Sequence, residues 1–157
     1  MGRRLPASGR VLVSACLAGR ECTYQGGHRA NAAVLRLVAD GRAVLVCPEE
    51  EAGLGTPRPE AEVLGGTGTD VLDGLARVRT AAGDDVTSHY RDGARIATER
   101  AASAGCTAAV LKARSPACGC GAIYDGAFTA TLRDGDGVAA AALRRAGIDV
   151  MTDEEVS

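Results

Sequence analysis

Three short runs of the chain are apolar at consecutive positions: "RVLVSAC" (10–16), "AVLVC" (43–47) and "TAAVLKA" (107–113). A fourth, "IDVM" (148–151), lies near the end. Unbroken apolar runs of this length mark strands covered on both faces, as in parallel sheets. Between them the period changes. Asn31 is a side-chain cap for a helix in which Ala33, Val34, Leu37 and Val38 form a stripe, ending at Gly41. Residues 85–104 read as a long helix with apolar positions on one side and Gly105 as its stop, and 137–147 as a last helix. The alternation predicts an α/β fold: a single domain with a mostly parallel, Rossmann-like sheet and flanking helices. It spans residues 10–157, with 1–9 as an N-terminal extension. Residues 75–80 suit an edge strand or hairpin arm. The Pro- and Gly-rich segment 48–64 reads as a long functional loop.

This pattern gives the cysteines a meaning. Open parallel sheets bind ligands outside the carboxyl ends of their strands. Cys16, Cys47 and Cys118 each stand at or just past such an end. Folding the sheet therefore brings three distant thiols to one edge. Three thiolates favour a soft metal: zinc, copper(I) or an iron–sulfur cluster. The C-x2-C pairs of a zinc finger are absent. Three ligands on a four-iron cluster would leave one iron open to act on a substrate as a Lewis acid. Free cysteine is also a common core residue, and Cys106, between a helix stop and a buried strand, is read that way. Cys22 and Cys120 stay open. If Cys120, two residues after Cys118, were a fourth ligand, the protein would be a non-catalytic iron–sulfur or zinc-binding module. A metal-free thiol enzyme with Cys118 as nucleophile is a third reading.

Composition narrows the setting. The 157 residues suit one domain, and 46% hydrophobic content supports a packed core. A net charge of −2 offers no field to gather nucleic acid polymers or acidic membrane surfaces. No apolar run approaches the length needed to cross a bilayer, and "MGRRLPASGR" fails as a signal peptide. The expected location is cytoplasmic, where six cysteines point to metal binding or catalysis and away from disulfides.

Several motifs then make a resemblance specific. "VSACLAG" (13–19), "CTYQGG" (22–27), "CPEEEAGLGTPRPEAEV" (47–63), "LKARSPACG" (111–119) and "IYDGAFTATL" (123–132) occur in order, followed by "GDGVAAAALRRAGIDV" (135–150). Together they resemble the bacterial 2-thiouracil desulfidase (desulfurase) family over about residues 10–155. The resemblance implies an enzyme with a [4Fe-4S] cluster on three cysteines, matching Cys16, Cys47 and Cys118, and one open iron. It implies a small thiolated nucleobase or nucleoside as substrate, with 2-thiouracil becoming uracil plus sulfide and no net redox change. The family's functional Glu matches Glu49 and its Ser matches Ser115. The chain departs from the family pattern at "TYQGG" (23–27), at Ala117 and at Cys120.

The residue chemistry agrees with these roles. A carboxylate two residues after a thiolate ligand, Glu49, suits a base for an attacking water. Ser115 suits a hydrogen bond to a heterocycle or to water, and equally an ordered turn before Pro116. Arg58, between two prolines, is a candidate anchor for a substrate oxygen. Tyr24 is a candidate face for a planar base.

Overall fold

The computed structural model describes residues 2–156. Strand β1 (Val11–Ser14) leads through a 3-10 turn (Ala15–Ala18) and a loop to helix α1 (Ala32–Ala39). Strand β2 (Ala43–Val46) and a one-turn helix α2 (Pro48–Glu51) follow. A hairpin of β3 (Ala61–Leu64) and β4 (Arg77–Thr80) encloses helix α3 (Gly68–Leu72). Helix α4 (Thr87–Ala104) returns the chain to strand β5 (Ala108–Leu111). A second hairpin, β6 (Ala122–Tyr124) and β7 (Leu132–Asp134), precedes helix α5 (Val138–Arg145) and strand β8 (Asp149–Thr152). The main sheet is wholly parallel in the order β2-β1-β5-β8, as the apolar runs predict.

The two faces of the sheet bury different residues. Val11, Val13, Val110 and Met151 pack with Val34 and Leu37 of α1. Leu12, Ala109, Leu111 and Val150 pack on the other face, with Ala94 and Ala97 of α4 and Leu143 of α5. The alternation of Leu12 against its neighbours is the two-residue period of a strand. Both β1 and β5 are buried at every position, which is why they read as unbroken apolar runs. Chain order moves outward from β1 to β2 on one side and to β5 on the other. The crevice at the carboxyl ends of β1 and β5 is therefore the switch point of the sheet.

Helix α1 is capped as expected: Asn31 Oδ1 accepts from the amides of Ala33 and Val34. Val38 is 43% exposed, so the buried stripe is narrower than the sequence suggests. The segment 48–64 is not loop throughout. Pro48 at the first helical position and three glutamates in the first turn favour a helix start, and β3 closes the segment by pairing with β4. Helix α3 is set by the Asp70 carboxylate, which accepts from both the amide and the hydroxyl of Thr67. Near the N-terminus, the Arg3 amide donates to the Glu155 carbonyl, and its guanidinium reaches Asp149 and the Val150 carbonyl. Among the described residues no helix is long and apolar enough to cross a membrane.

Candidate active site

A cavity of about 550 Å³ opens at the switch point, and Cys16, Cys47 and Cys118 all line it. Cys16 sits in the 3-10 turn after β1, Cys47 caps α2 directly after β2, and Cys118 lies in the turn after β5. All three are buried and none is in a disulfide. They are close enough to feel one another's charge. Burial, then the neighbouring Cys47, pushes the Cys16 thiol up to about 11, while Lys112 pulls it back. Burial is also the main reason that Cys118 is raised. Cys22 lines the cavity beside them, and a hydrogen bond between Cys22 and Cys47 raises the first thiol and lowers the second.

Two anchors fix Cys47. Its amide donates to Glu51 Oε2, and Glu51 is gripped by Arg100 from α4, which also donates to the Leu45 carbonyl. Helices α2 and α4 meet closely at Gly93, where a Cβ would stand 2.6 Å from the Pro48 carbonyl oxygen. Only glycine allows that approach, which brings Glu49 to Tyr90.

Glu49 lines the cavity with its side chain held from two directions. The Tyr90 hydroxyl donates to Oε2 at 2.5 Å, and Arg58 Nη2 lies 3.4 Å from Oε1. Burial, then the Glu49 charge, keeps the Tyr90 phenol well above its ordinary range, hence protonated. Arg58 is not a solvated loop charge; its side chain is 6% exposed. Burial opposes its charge, yet Glu49 and Cys47 raise its pKa overall. Its guanidinium donates to the carbonyls of Cys22 and Gly55 and to Thr56, so most of its donors are committed to the protein. Nε is buried without a partner.

Ser115 Oγ accepts from the amides of Ala117 and Cys118, at 3.1 Å each. This is the ordered turn considered from sequence, and it shapes the loop that carries Cys118. The hydroxyl proton remains free, and the residue lines the cavity. Tyr24 also lines it, 39% exposed at the mouth.

Cys120 is elsewhere. Its thiol reaches the Val150 carbonyl and accepts from Arg144, and it is not part of the cavity wall. The turn carries Cys118 into the cavity wall and Cys120 away from it, so the C-x-C pair is split and Cys120 is not placed to complete a four-thiolate site. Cys106 is a core residue, as read from sequence. Among the described residues no three Cys, His, Asp or Glu side chains gather tightly enough for one metal ion. The cavity thiols share one wall without forming a single-ion site. A single zinc wants its ligands around one point, whereas a four-iron cluster takes one thiolate at each of several separated corners.

Several cavity residues escaped the sequence reading. Ser14, 3% exposed, accepts from the Lys112 amide and lines the wall. Tyr90 was hidden in a helical stripe, though its spacing to Gly93 and Ala94 puts it on the buried face. Glu62 and Phe128 also line the cavity; a glutamate inside "AEVL" and the chain's lone Phe were the available signals.

Comparisons with known proteins identify the family and the fold. The family model described as 2-thiouracil desulfurase matches residues 11–155. The chain belongs to the 2-thiouracil desulfurase family. A relative from Bacillus subtilis (strain 168), the uncharacterized protein YbbK, is 45% identical over 147 residues, covering 94% of this chain and 97% of the relative. Among solved structures, a [4Fe-4S]-dependent thiouracil desulfidase, TudS, superposes with a TM-score of 0.82 at 38% identity, covering 94% of this chain and 92% of that one. The α/β architecture of this 2-thiouracil desulfurase family member is thus shared along nearly its whole length with the solved TudS structure.

Proposed function

We propose that the protein removes the sulfur of a thiolated pyrimidine, or of a related thioamide, by hydrolysis: thiocarbonyl plus water gives carbonyl plus sulfide, with no net electron transfer. The observation that carries this reading is the convergence of Cys16, Cys47 and Cys118 with Glu49 on one cavity at the sheet's switch point. The donor set fits a [4Fe-4S] cluster: three buried soft thiols share one cavity wall, and Cys120 lies outside it. When bound there, the cluster would supply a thiophilic iron without a protein ligand, to take the exocyclic sulfur and polarise the adjacent carbon.

The chain's own residues supply the rest. Glu49 takes the proton of the attacking water at a carboxylate oxygen and returns it toward the departing sulfur. Tyr90 and Arg58 fix both oxygens of Glu49, so the carboxylate is oriented before substrate arrives. Ser115 holds the Cys118 turn and offers its hydroxyl proton to the substrate or to water. Arg58 adds positive charge beside the site, and Tyr24 covers the mouth. The substrate is a small molecule, a thiolated nucleobase or nucleoside, and the working compartment is the cytoplasm.

Anaerobic reconstitution with iron and sulfide, followed by incubation with 2-thiouracil, tests this reading. The expected result is a brown protein with about four irons per chain that releases sulfide and uracil in equal amounts. A reconstituted protein that stays colourless, or that binds iron but releases no sulfide from any thiolated pyrimidine or thioamide, would overturn it.

A further inference from the structure

The chain is poor in aromatic residues, with three Tyr, one Phe and no Trp. All four gather at this site: Tyr24, Tyr124 and Phe128 line the cavity, and Tyr90 holds Glu49. Unusual backbone gathers there too. Among the described residues, the non-glycine positions with positive φ are Arg114 (66°), Phe128 (57°) and Ala130 (58°), and each lines the cavity. Side-chain-bearing residues stay in that region only where their surroundings impose it.

What imposes it at Phe128 is Glu62. This glutamate is 6% exposed on β3, and its Oε1 accepts from the amides of both Gly126 and Phe128, at 3.0 and 3.1 Å. Gly126 (φ 96°) lets the loop lie against the strand, since a Cβ there would meet the Val63 carbonyl oxygen at 2.7 Å. The Asp125 amide donates to the Thr131 carbonyl, and Asp125 Oδ1 accepts from Ala127. A buried carboxylate needs bonded partners, and here it spends one oxygen on loop backbone. The result is a half-buried phenyl ring held at the cavity wall by a loop with little freedom.

We propose that Phe128 is the specificity-determining residue on which the flat face of a heterocyclic substrate stacks, and that Glu62 is the residue that positions it. Stacking on an aromatic side chain accepts any planar ring and gives nothing to a small acyclic thioamide. The substrate class thereby narrows to planar heterocyclic thiocarbonyls. The narrowing rests on the desulfidase reading, but the stacking itself does not, because uracil, which has no sulfur, is recognised by the same contact.

The test measures binding of radiolabelled uracil by equilibrium dialysis to the full-length, anaerobically reconstituted protein. Phe128→Leu keeps bulk and removes the π-face; at least a fivefold loss of uracil affinity is expected, with iron content and visible spectrum unchanged. Phe128→Tyr should bind within about twofold of wild type, as a retained π-face requires. Glu62→Ala, which removes the acceptor of both amides, should lose affinity and also gain a proteolytic cut within residues 125–131; if it does not accumulate, Glu62→Asp, whose shorter side chain draws the acceptor back from the loop, is read in the same way. With 2-thiouracil, Phe128→Leu should raise KM far more than it lowers kcat, and discrimination between 2-thiouracil and thioacetamide should shrink. Wild-type uracil affinity in Phe128→Leu overturns the stacking role. Wild-type affinity and protease resistance in Glu62→Ala overturn the positioning role. Wild-type protein that binds uracil through Phe128 yet releases no sulfide leaves the stacking intact and removes the desulfidase reading.

Discussion

Cys118 and Cys120 are two residues apart and belong to different parts of the molecule. Cys118 is buried in the cavity wall, within electrostatic reach of Cys16 and Cys47, and in a turn whose amides are taken by Ser115. Cys120 is half-buried on the far side of that turn, against the Val150 carbonyl and the Arg144 guanidinium. Burial raises both thiols. What separates them is company: Cys118 faces two other thiols and a carboxylate, Cys120 a cation and a backbone carbonyl. Spacing within a motif therefore says less about a cysteine than the strand end it follows. The strongest way to break the comparison is to remove Cys118. Cys118→Ser substitutes a hard hydroxyl for a soft thiolate. Iron per chain and the brown colour should drop to near the apo level, and sulfide release should fall by about three orders of magnitude or more, the scale on which an essential reactive group acts. Iron quantification and anaerobic sulfide assay check this, and full iron retention would remove Cys118 from the ligand set.

Glu49→Gln sharpens the same comparison at the reacting end of the site. The amide preserves shape and still accepts from Tyr90, but it takes no proton from water. The iron should stay, and kcat should fall by about 10²- to 10⁴-fold, the range of a lost general base. Steady-state kinetics beside iron quantification separates this result from simple loss of the cluster.

The sheet and the three convergent thiols were readable because parallel strands are apolar throughout and end where ligands bind. β1 and β5 are buried at every position, so their runs stand out without a period. The rest was hidden for physical reasons. The arm read at 75–80 is β4, which alternates exposed with buried, but its partner β3 is four residues at the end of a Pro- and Gly-rich segment and reads as loop. Helix α2 is one turn long and held by tertiary contacts to α4. Tyr90 belongs to a core stripe, and only the close approach at Gly93 gives its hydroxyl a carboxylate to meet. Glu62 looked like a loop charge because its partners, the amides of Gly126 and Phe128, are more than 60 residues away. Arg58 was readable as an anchor, but its burial was not, because one of its acceptors is the Cys22 carbonyl, 36 residues away.

A smaller effect is expected where helices α2 and α4 touch. In Gly93→Ala the added methyl meets the Pro48 carbonyl, and overpacking of this kind costs about 1–3 kcal/mol. Chemical denaturation should register that loss. Sulfide release should fall with it, because Pro48 neighbours Glu49. Tyr90→Phe removes only the hydroxyl. It leaves one oxygen of Glu49 without its buried donor, a penalty of about 1–3 kcal/mol, while Arg58 still holds the other. A several-fold fall in kcat with unchanged iron content is expected. Equal kcat in the two proteins would mean that Arg58 alone orients the carboxylate.

The smallest effect should come from Cys120→Ser, and it decides the comparison most directly. Serine can accept from Arg144 as the thiol does, and it fits the same half-buried space beside Val150. The site lies outside the cavity wall, so no contact to Cys16, Cys47 or Glu49 is lost. Stability should therefore move by no more than about 0.5 kcal/mol, as for substitutions away from core and site, with iron content and sulfide release at wild-type levels. A protein that instead lost one quarter of its iron, or all of it, would make Cys120 a ligand. The open iron that the desulfidase reading needs would then be closed, and Cys118 and Cys120 would be partners after all.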